Sequence, residues 1–398
     1  MSDATVSGAD VVRGADERAP APPRRSESDR LDKGGRIAQL VKRPEIGAFI
    51  GMIVVIVALG FASNGGIFNA LGIKNNLSII GQLGIIATGA CLLMIAGEFD
   101  LSIGSMIGFA GMSMAMMMKW GLPFGLGEAT PAMAFFITLL MTLSIGFLIG
   151  QIVVRSGLSS FIVTLGFLFF LRGLTEVWFR YFNDGSTQIS GLPDFKEEST
   201  FAYVFGGQTF GFLYDWAFQL GQWLDLGWNT NRKGLQWVTG LDARVAWWLI
   251  IALGAWFVLS RTQLGNWIYA TGDNKEAARA NGVPVNKVKI GLFMFTAFCA
   301  TVFAACQVFD TNTADAAKGN LKELEAIAVA VIGGTLMTGG FGSVVGVMFG
   351  AVIFGLVQNA VFFIPWIDGA FFRVFVGTVL LVAAFANENI RKRITGGI

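Results

Sequence analysis

With 54% hydrophobic and 14% charged residues in a chain of 398, and a mean hydropathy of +0.61, the sequence is that of a membrane-embedded protein; ordinary soluble domains carry about 25% charged residues. At about 20 residues per span, the apolar content supplies about ten helices and leaves nothing for a large aqueous domain. A net charge of +2 offers no surface for nucleic acid, and the lack of any histidine removes histidine acid–base chemistry and histidine-held metals.

Residues 1–45 hold no apolar run and are rich in Ala, Pro, Arg, Ser and Asp, so they are expected to form a disordered cytoplasmic tail and not a signal peptide. Apolar windows follow at 46–63, 77–96, 103–118, 132–154, 158–178, 245–260, 287–308, 324–338, 343–364 and 370–386. The fold class is therefore an all-α membrane protein, a polytopic bundle of about ten transmembrane helices over 46–386. Arg24, Arg25, Arg30, Lys33, Arg36, Lys42 and Arg43 precede the first window against Glu27, Asp29 and Asp32, which places the N-terminus in the cytoplasm. An even number of spans returns the 387–398 tail there, in agreement with Arg391, Lys392 and Arg393 against Glu388. The same parity puts the insert 180–243 outside and the loop 261–286 inside. The insert carries Trp216, Trp223, Trp228 and Trp237, which suit a cap at the membrane interface or a dock for an external partner.

The three cysteines, Cys91, Cys299 and Cys306, lie in apolar stretches and read as buried small hydrophobes. A weak internal repeat joins Ile95-Ala96-Gly97 with Gly104-Ser105-Met106-Ile107-Gly108 to Ile332-Gly333-Gly334 with Gly342-Ser343-Val344-Val345-Gly346. Both copies run from the end of one span through a tight turn into the next, in the same sense, as in duplicated transporter halves. Glycines at small-xxx-small spacing, as in Gly346 to Gly350, suit close helix packing.

Glu98 and Asp100 are the acids close to the inner end of a span. Two residues apart they would diverge on a helix, so a turn is expected, with Asp100 or Ser102 capping the third span; a gate or a cytoplasmic contact is the other reading. Arg172 and Glu176 are spaced to pair on one helix face. Gln82, Gln151, Gln307, Gln358 and Asn359 are in-span amides able to bond a hydroxylated solute or to join helices. Of these, Gln82, Gln358 and Asn359 are candidates for a translocation path. In the inner loop, Gly272, Asp273 and Asn274 make a turn and N-cap, Glu276 to Ala280 favour a short helix, and Gly282 with Pro284 stops it. No Gly-Lys dipeptide occurs, so a phosphate-cradling P-loop is absent, and no acid is convincingly central enough for proton drive. An energised partner or a passive pore remains, with a stand-alone secondary carrier or channel as the rival reading.

Three blocks resemble the permease subunit of bacterial ATP-binding-cassette sugar importers of the ribose/xylose/galactose branch. They are the turn Gly97 to Ser105, the loop Arg261 to Val285, and Glu323 to Gly346. The resemblance covers about 75–386. It implies a permease at the inner membrane that binds no cofactor itself, works by alternating access, and relies on cytoplasmic cassette ATPases for ATP hydrolysis. It further implies a periplasmic sugar-binding protein and a second permease copy, a homodimer, as partners. Carried over, Gly272, Asn274, Glu276, Ala277, Ala278, Arg279 and Gly282 would form the ATPase-coupling helix, and Gly97, Asp100, Ser102, Gly104 and Ser105 the family's turn motif. Asp273 and Glu98 depart from the family's small residues, and the long 180–243 insert favours a xylose-like subgroup. Glu323 and Glu325, expected at the outer start of the eighth span, are candidates to contact the binding protein or to complement a helix dipole.

Overall fold

The computed structural model describes residues 44–122, 127–224, 228–230, 234–360, 363–364 and 368–394. The expectations for residues 1–43 and for the last four residues lie outside this range. Each of the ten apolar windows contains a helix: α1 (Pro44–Ala62), α2 (Ala70–Ile95), α3 (Ile103–Trp120), α4 (Pro131–Ser156), α5 (Ser160–Phe182), α9 (Ala243–Arg261), α12 (Val285–Thr311), α13 (Lys322–Ile332), α14 (Val344–Ala360) and α15 (Ala370–Ile394). Between them lie α6 (Phe195–Glu198), α7 (Thr200–Gly206) and α8 (Gly211–Trp223) of the insert, and α10 (Gln263–Asp273) and α11 (Lys275–Ala280) of the connector. Among the described residues, α1, α2, α4, α5, α9 and α12 are long and apolar enough to cross a membrane.

The eighth window corrects the expected layout. Its helix α13 has 11 residues, about 16 Å at 1.5 Å per residue, half of a hydrocarbon layer of about 30 Å. The chain reaches its start through Asn312 and Leu321, both in the left-handed region, at φ 53° and 64°.

Local sequence sets the ends of the spans. Asn69 opens α2 by accepting from Gly72 N at 2.6 Å, and Thr130 with Pro131 in the first turn opens α4. Gly157, at φ 73°, ends α4 and Ser159 caps α5, which makes a hairpin of three connecting residues. In the apolar 18-residue stretches of α2 and α12, 89% and 78% of the residues are buried, in that of α1 only 6%, so α2 and α12 form the core and α1 is peripheral. Since lipid is as apolar as the core, close backbone approach holds the bundle together. Gly81 lies on the backbone of Arg244 and Val245, Gly146 on that of Phe293 and Met294, and Gly150 on that of Ile290. Cys91, Cys299 and Cys306 are free and buried in this core.

The insert marks one end of the bundle and the connector the other. Two short antiparallel ladders tie the insert down: β1 (Gln188–Ile189) with β4 (Ala314–Asp315), and β2 (Gln208–Thr209) with β3 (Leu241–Asp242). Phe205 stacks on Trp247 at 4.7 Å, and Trp228 donates to Phe68 O at 3.3 Å. Trp216, Trp223 and Trp237 stay exposed. Arg244 pairs with Asp310 and accompanies Asp242, which Ser78 and Lys74 also reach.

The internal repeat has a structural counterpart. After α2, Ala96, Gly97 and Glu98 donate to Leu92, Met94 and Leu93; after α13, Gly333, Gly334 and Thr335 donate to Val329, Val331 and Ala330. The offsets are the same in both, with Gly97 and Gly334 in the left-handed region at φ 80° and 87°. Both turns face the connector end, where Gly340 N donates to Ile95 O at 2.8 Å.

Candidate functional site

The three sequence blocks converge on one backbone junction at the connector end. Gly97, Gly272, Gly339 and Gly340 meet there: Gly97 Cα and Gly272 O lie where a side chain on Gly339 would go, and Asp273 lies against Gly340. A Cβ on Gly272 would overlap Ile95 O and stand 2.6 Å from Gly340 N. This corrects the expected role of Gly272. It does not form a turn; it sits in the last turn of α10, with Asp273, because only a residue without a side chain lets three backbones touch. Tyr269, one turn earlier, donates to Gly342 O at 2.8 Å, and burial pushes its phenol up to about 12, so it stays a donor at any physiological pH.

From this junction Asn274 starts α11, its side chain accepting from Glu276 N at 3.1 Å and Ala277 N at 3.0 Å. Gly282, at φ 80°, ends the segment. Only Ala278 is buried; Lys275, Glu276, Ala277 and Arg279 face outward, with Arg279 reaching Glu276 at 3.4 Å and Asn286 at 3.1 Å. A six-residue helix has little stability of its own, so Asn274→Ala removes about 1 kcal/mol of capping. Faster hydrogen exchange at the amides of Glu276 and Ala277 is the expected readout; unchanged exchange would show that the cap does not hold α11.

Beyond the junction the turn 96–102 follows the end of α2 at Ile95, as expected, and is buried within the bundle. Asp100 accepts from Thr296 Oγ1 at 2.6 Å, and Thr296 is eleven residues into α12, about 16 Å at the helical rise. Asp100 also accepts from Ser102 N and Oγ at 2.9 and 2.6 Å. Ser102 therefore occupies the N-cap position of α3 without a side-chain cap of its own, and Asp100 serves the turn, not the helix. Glu98 pairs with Lys289 of α12, and Ser160 of α5 accepts from Phe99 N at 3.0 Å. Ser105 donates to Leu168 O at 2.7 Å, and Gly104 lies against Gly319 and Glu323.

Glu323 is 4% exposed and Glu325 7%. Both are buried within the bundle in the first turn of α13, where complementing the helix dipole fits and direct contact with a binding protein does not. Glu325 pairs with Lys322 at 2.5 Å. Arg172 does not pair with Glu176: it lies 3.8 Å from Glu323, while Glu176 meets Arg180. Arg172 Nη2 and Glu323 Oε2 are buried without a hydrogen-bond partner. This cross-helix pair was missed because an i,i+4 partner is visible in sequence and one 151 positions away is not; the arginine inside an apolar window was the only signal.

The three path candidates are not brought together. Asn359 donates to Asn76 at 2.5 Å, and Asn76 to Ile67 O at 3.3 Å, an interhelical contact. Gln82 accepts from Arg244 at 3.3 Å near the insert end. Gln358 is half-buried, with a buried side-chain oxygen lacking a partner. Among the described residues no cluster of three metal-ligating side chains occurs.

A family model described as branched-chain amino acid transport system / permease component matches residues 72–384. The chain is similar to the ribose import permease protein RbsC of Escherichia coli (strain K12), 28% identical over 348 residues, covering 87% of this chain and 94% of the relative. It is also similar to the inner membrane ABC transporter permease protein YjfF of the same strain, 30% identical over 300 residues, 75% of this chain and 78% of the relative. The xylose transport system permease protein XylH, again of that strain, is 27% identical over 377 residues, 86% of this chain and 91% of the relative. No solved structure matches the chain.

Proposed function

Because the chain belongs to the family of branched-chain amino acid transport system permease components, we propose that it is the membrane subunit of an ATP-driven importer of a monosaccharide, a pentose or hexose, in a bacterial inner membrane. The sugar assignment is supported by the ribose and xylose permeases it resembles across most of their length. ATP hydrolysis belongs to cassette subunits at the connector end, a cytoplasmic placement that the basic residues of the connector support. A sugar-binding protein approaches the insert end, and a second copy of the chain completes the path.

The observation that carries this reading is the exposed α11 attached to a rigid junction. Its outward side chains give an ATPase a place to seat, and α10 joins it through Gly272 to the end of α2 and to the segment before α14. A push on α11 therefore reaches the turn after α2 and the segment before α14 through backbone contacts and not through flexible side chains. Rigid transfer of this kind suits a bundle that alternates between outward-open and inward-open states.

The test uses vesicles holding the chain with a cassette ATPase and a sugar-binding protein. ATP-dependent uptake is expected in the wild type, and Glu276→Lys is expected to lower it by about tenfold or more while the chain still inserts, as inverted charges do at interfaces. Equal uptake without ATP or any ATPase would overturn the importer reading and favour a stand-alone carrier.

A further inference from the structure

Besides the polar junction, the bundle carries an apolar groove of about 580 Å³ between α9, α10 and α12. Trp267, Phe295 and Phe298 wall it, and Lys287 is the one charged residue on its lining. Lys287 and Phe298 lie on the same helix eleven residues apart, about 16 Å at the helical rise. That is the depth of one leaflet, half of a hydrocarbon layer of about 30 Å, and the lysine stands at the connector end.

Two helix glycines, Gly254 and Gly291, also line the groove, and a Cβ on either would meet nothing within 4 Å. Glycine inside a helix costs about 0.5–1 kcal/mol relative to alanine. At Gly81 or Gly146 close backbone packing offsets that cost; at Gly254 and Gly291, as at Gly166 and Gly173 of α5, no part of the chain fills the space. Lys287 is exposed and forms no ion pair among the described residues. The lining offers no set of hydrogen-bonding groups for a polyol, which excludes the transported solute as occupant.

We propose that this groove binds one acyl chain of an anionic phospholipid, with the headgroup phosphate held by Lys287. An apolar trough of leaflet depth ending in a free cation complements such a lipid in both shape and charge. Trp267 belongs to α10, the helix that carries Gly272 in its last turn, so the bound lipid braces the element that holds the backbone junction. The lipid site itself does not depend on the transport reading.

The full chain would be purified and placed in bilayers of mixed phosphatidylglycerol and phosphatidylcholine, and the lipid retained after extraction identified by native mass spectrometry. The wild type is expected to retain phosphatidylglycerol over phosphatidylcholine by about fivefold, the effect of one basic residue at an anionic surface. Lys287→Gln should abolish the preference and leave one lipid bound. Gly254→Leu and Gly291→Leu, which fill open space and so leave the fold intact, should each lower retention of both lipids several-fold. Wild-type retention by the filled variants would overturn the proposal. So would a filled variant that alters the oligomeric state and leaves lipid retention unchanged, since the groove would then be an interface between copies.

Discussion

Arg172→Leu is expected to destabilise the folded chain by about 3–5 kcal/mol, the cost of leaving one member of a buried ion pair alone. Glu323, on α13, is 4% exposed and packed against Gly104, where neither water nor a second cation among the described residues reaches its outer oxygen. Removing the guanidinium 3.8 Å away leaves a carboxylate inside the membrane layer. The expected result is a large drop in the thermal unfolding midpoint in detergent, with poor recovery of monodisperse protein. The double variant Arg172→Leu/Glu323→Gln removes both charges and should regain most of the loss, because the penalty lies in the orphaned charge and not in the lost attraction. A single variant as stable as wild type would show that the pair is solvated and that α5 and α13 are not joined through it. The local alternative makes a different prediction: if Glu176 were the true partner, Glu176→Gln would be the damaging change, yet Glu176 is half-exposed and pairs with Arg180.

Gly272→Ala is expected to lower stability by about 1–3 kcal/mol, the range for overpacking a tight site, and to abolish uptake under the proposed function. The added methyl would overlap Ile95 O and crowd Gly340 N, both backbone atoms, so no side-chain rotation can make room. The turn after α2 and the segment before α14 would have to separate, breaking the 2.8 Å bond from Gly340 N to Ile95 O. Gly282→Ala supplies the comparison. Gly282 is left-handed at φ 80° but faces open space, so its cost is backbone strain of about 1–2 kcal/mol, with α10 still joined to the end of α2 and to the segment before α14. Equal loss of stability with uptake lost only in Gly272→Ala would identify the junction, and not the short helix alone, as the transmitting element. Uptake retained in Gly272→Ala would refute that.

What the sequence made legible follows from how far each signal reaches along the chain. Hydropathy located a helix in every window, since a bilayer demands long apolar runs and little else produces them. It overextended α13, because 324–338 stays apolar through the turn after Ile332 and composition does not register where the helix stops. Caps and breakers close in sequence were readable, as at Asn274 and Gly282. Asp100 was seen as a turn residue, but its bond to Thr296 and the pairing of Glu98 with Lys289 span nearly 200 positions and depend on how α2, α3 and α12 pack. Gly272 shows the same limit: a glycine beside Asp-Asn has the signature of a turn, and only the approach of two distant backbones reveals that its missing side chain is the reason for its presence. The path candidates were chosen for chemistry alone, and helix rotation directed Asn359 towards Asn76 and Gln82 towards Arg244.

The half-length of α13 also bears on how the chain is made. An 11-residue helix whose first turn holds Lys322, Glu323 and Glu325 is too short and too polar to leave a translocation channel for lipid by its own partitioning. Lys322 and Glu325 pair within the helix, Glu323 is offset only by Arg172 of α5, and the apolar face is covered by α2, already synthesised, and by α14 and α15, still to come. The segment must therefore wait at the protein–lipid boundary until the nascent chain has passed residue 394, the end of α15. Biogenesis of this bundle ends in a docking step that the last two helices complete.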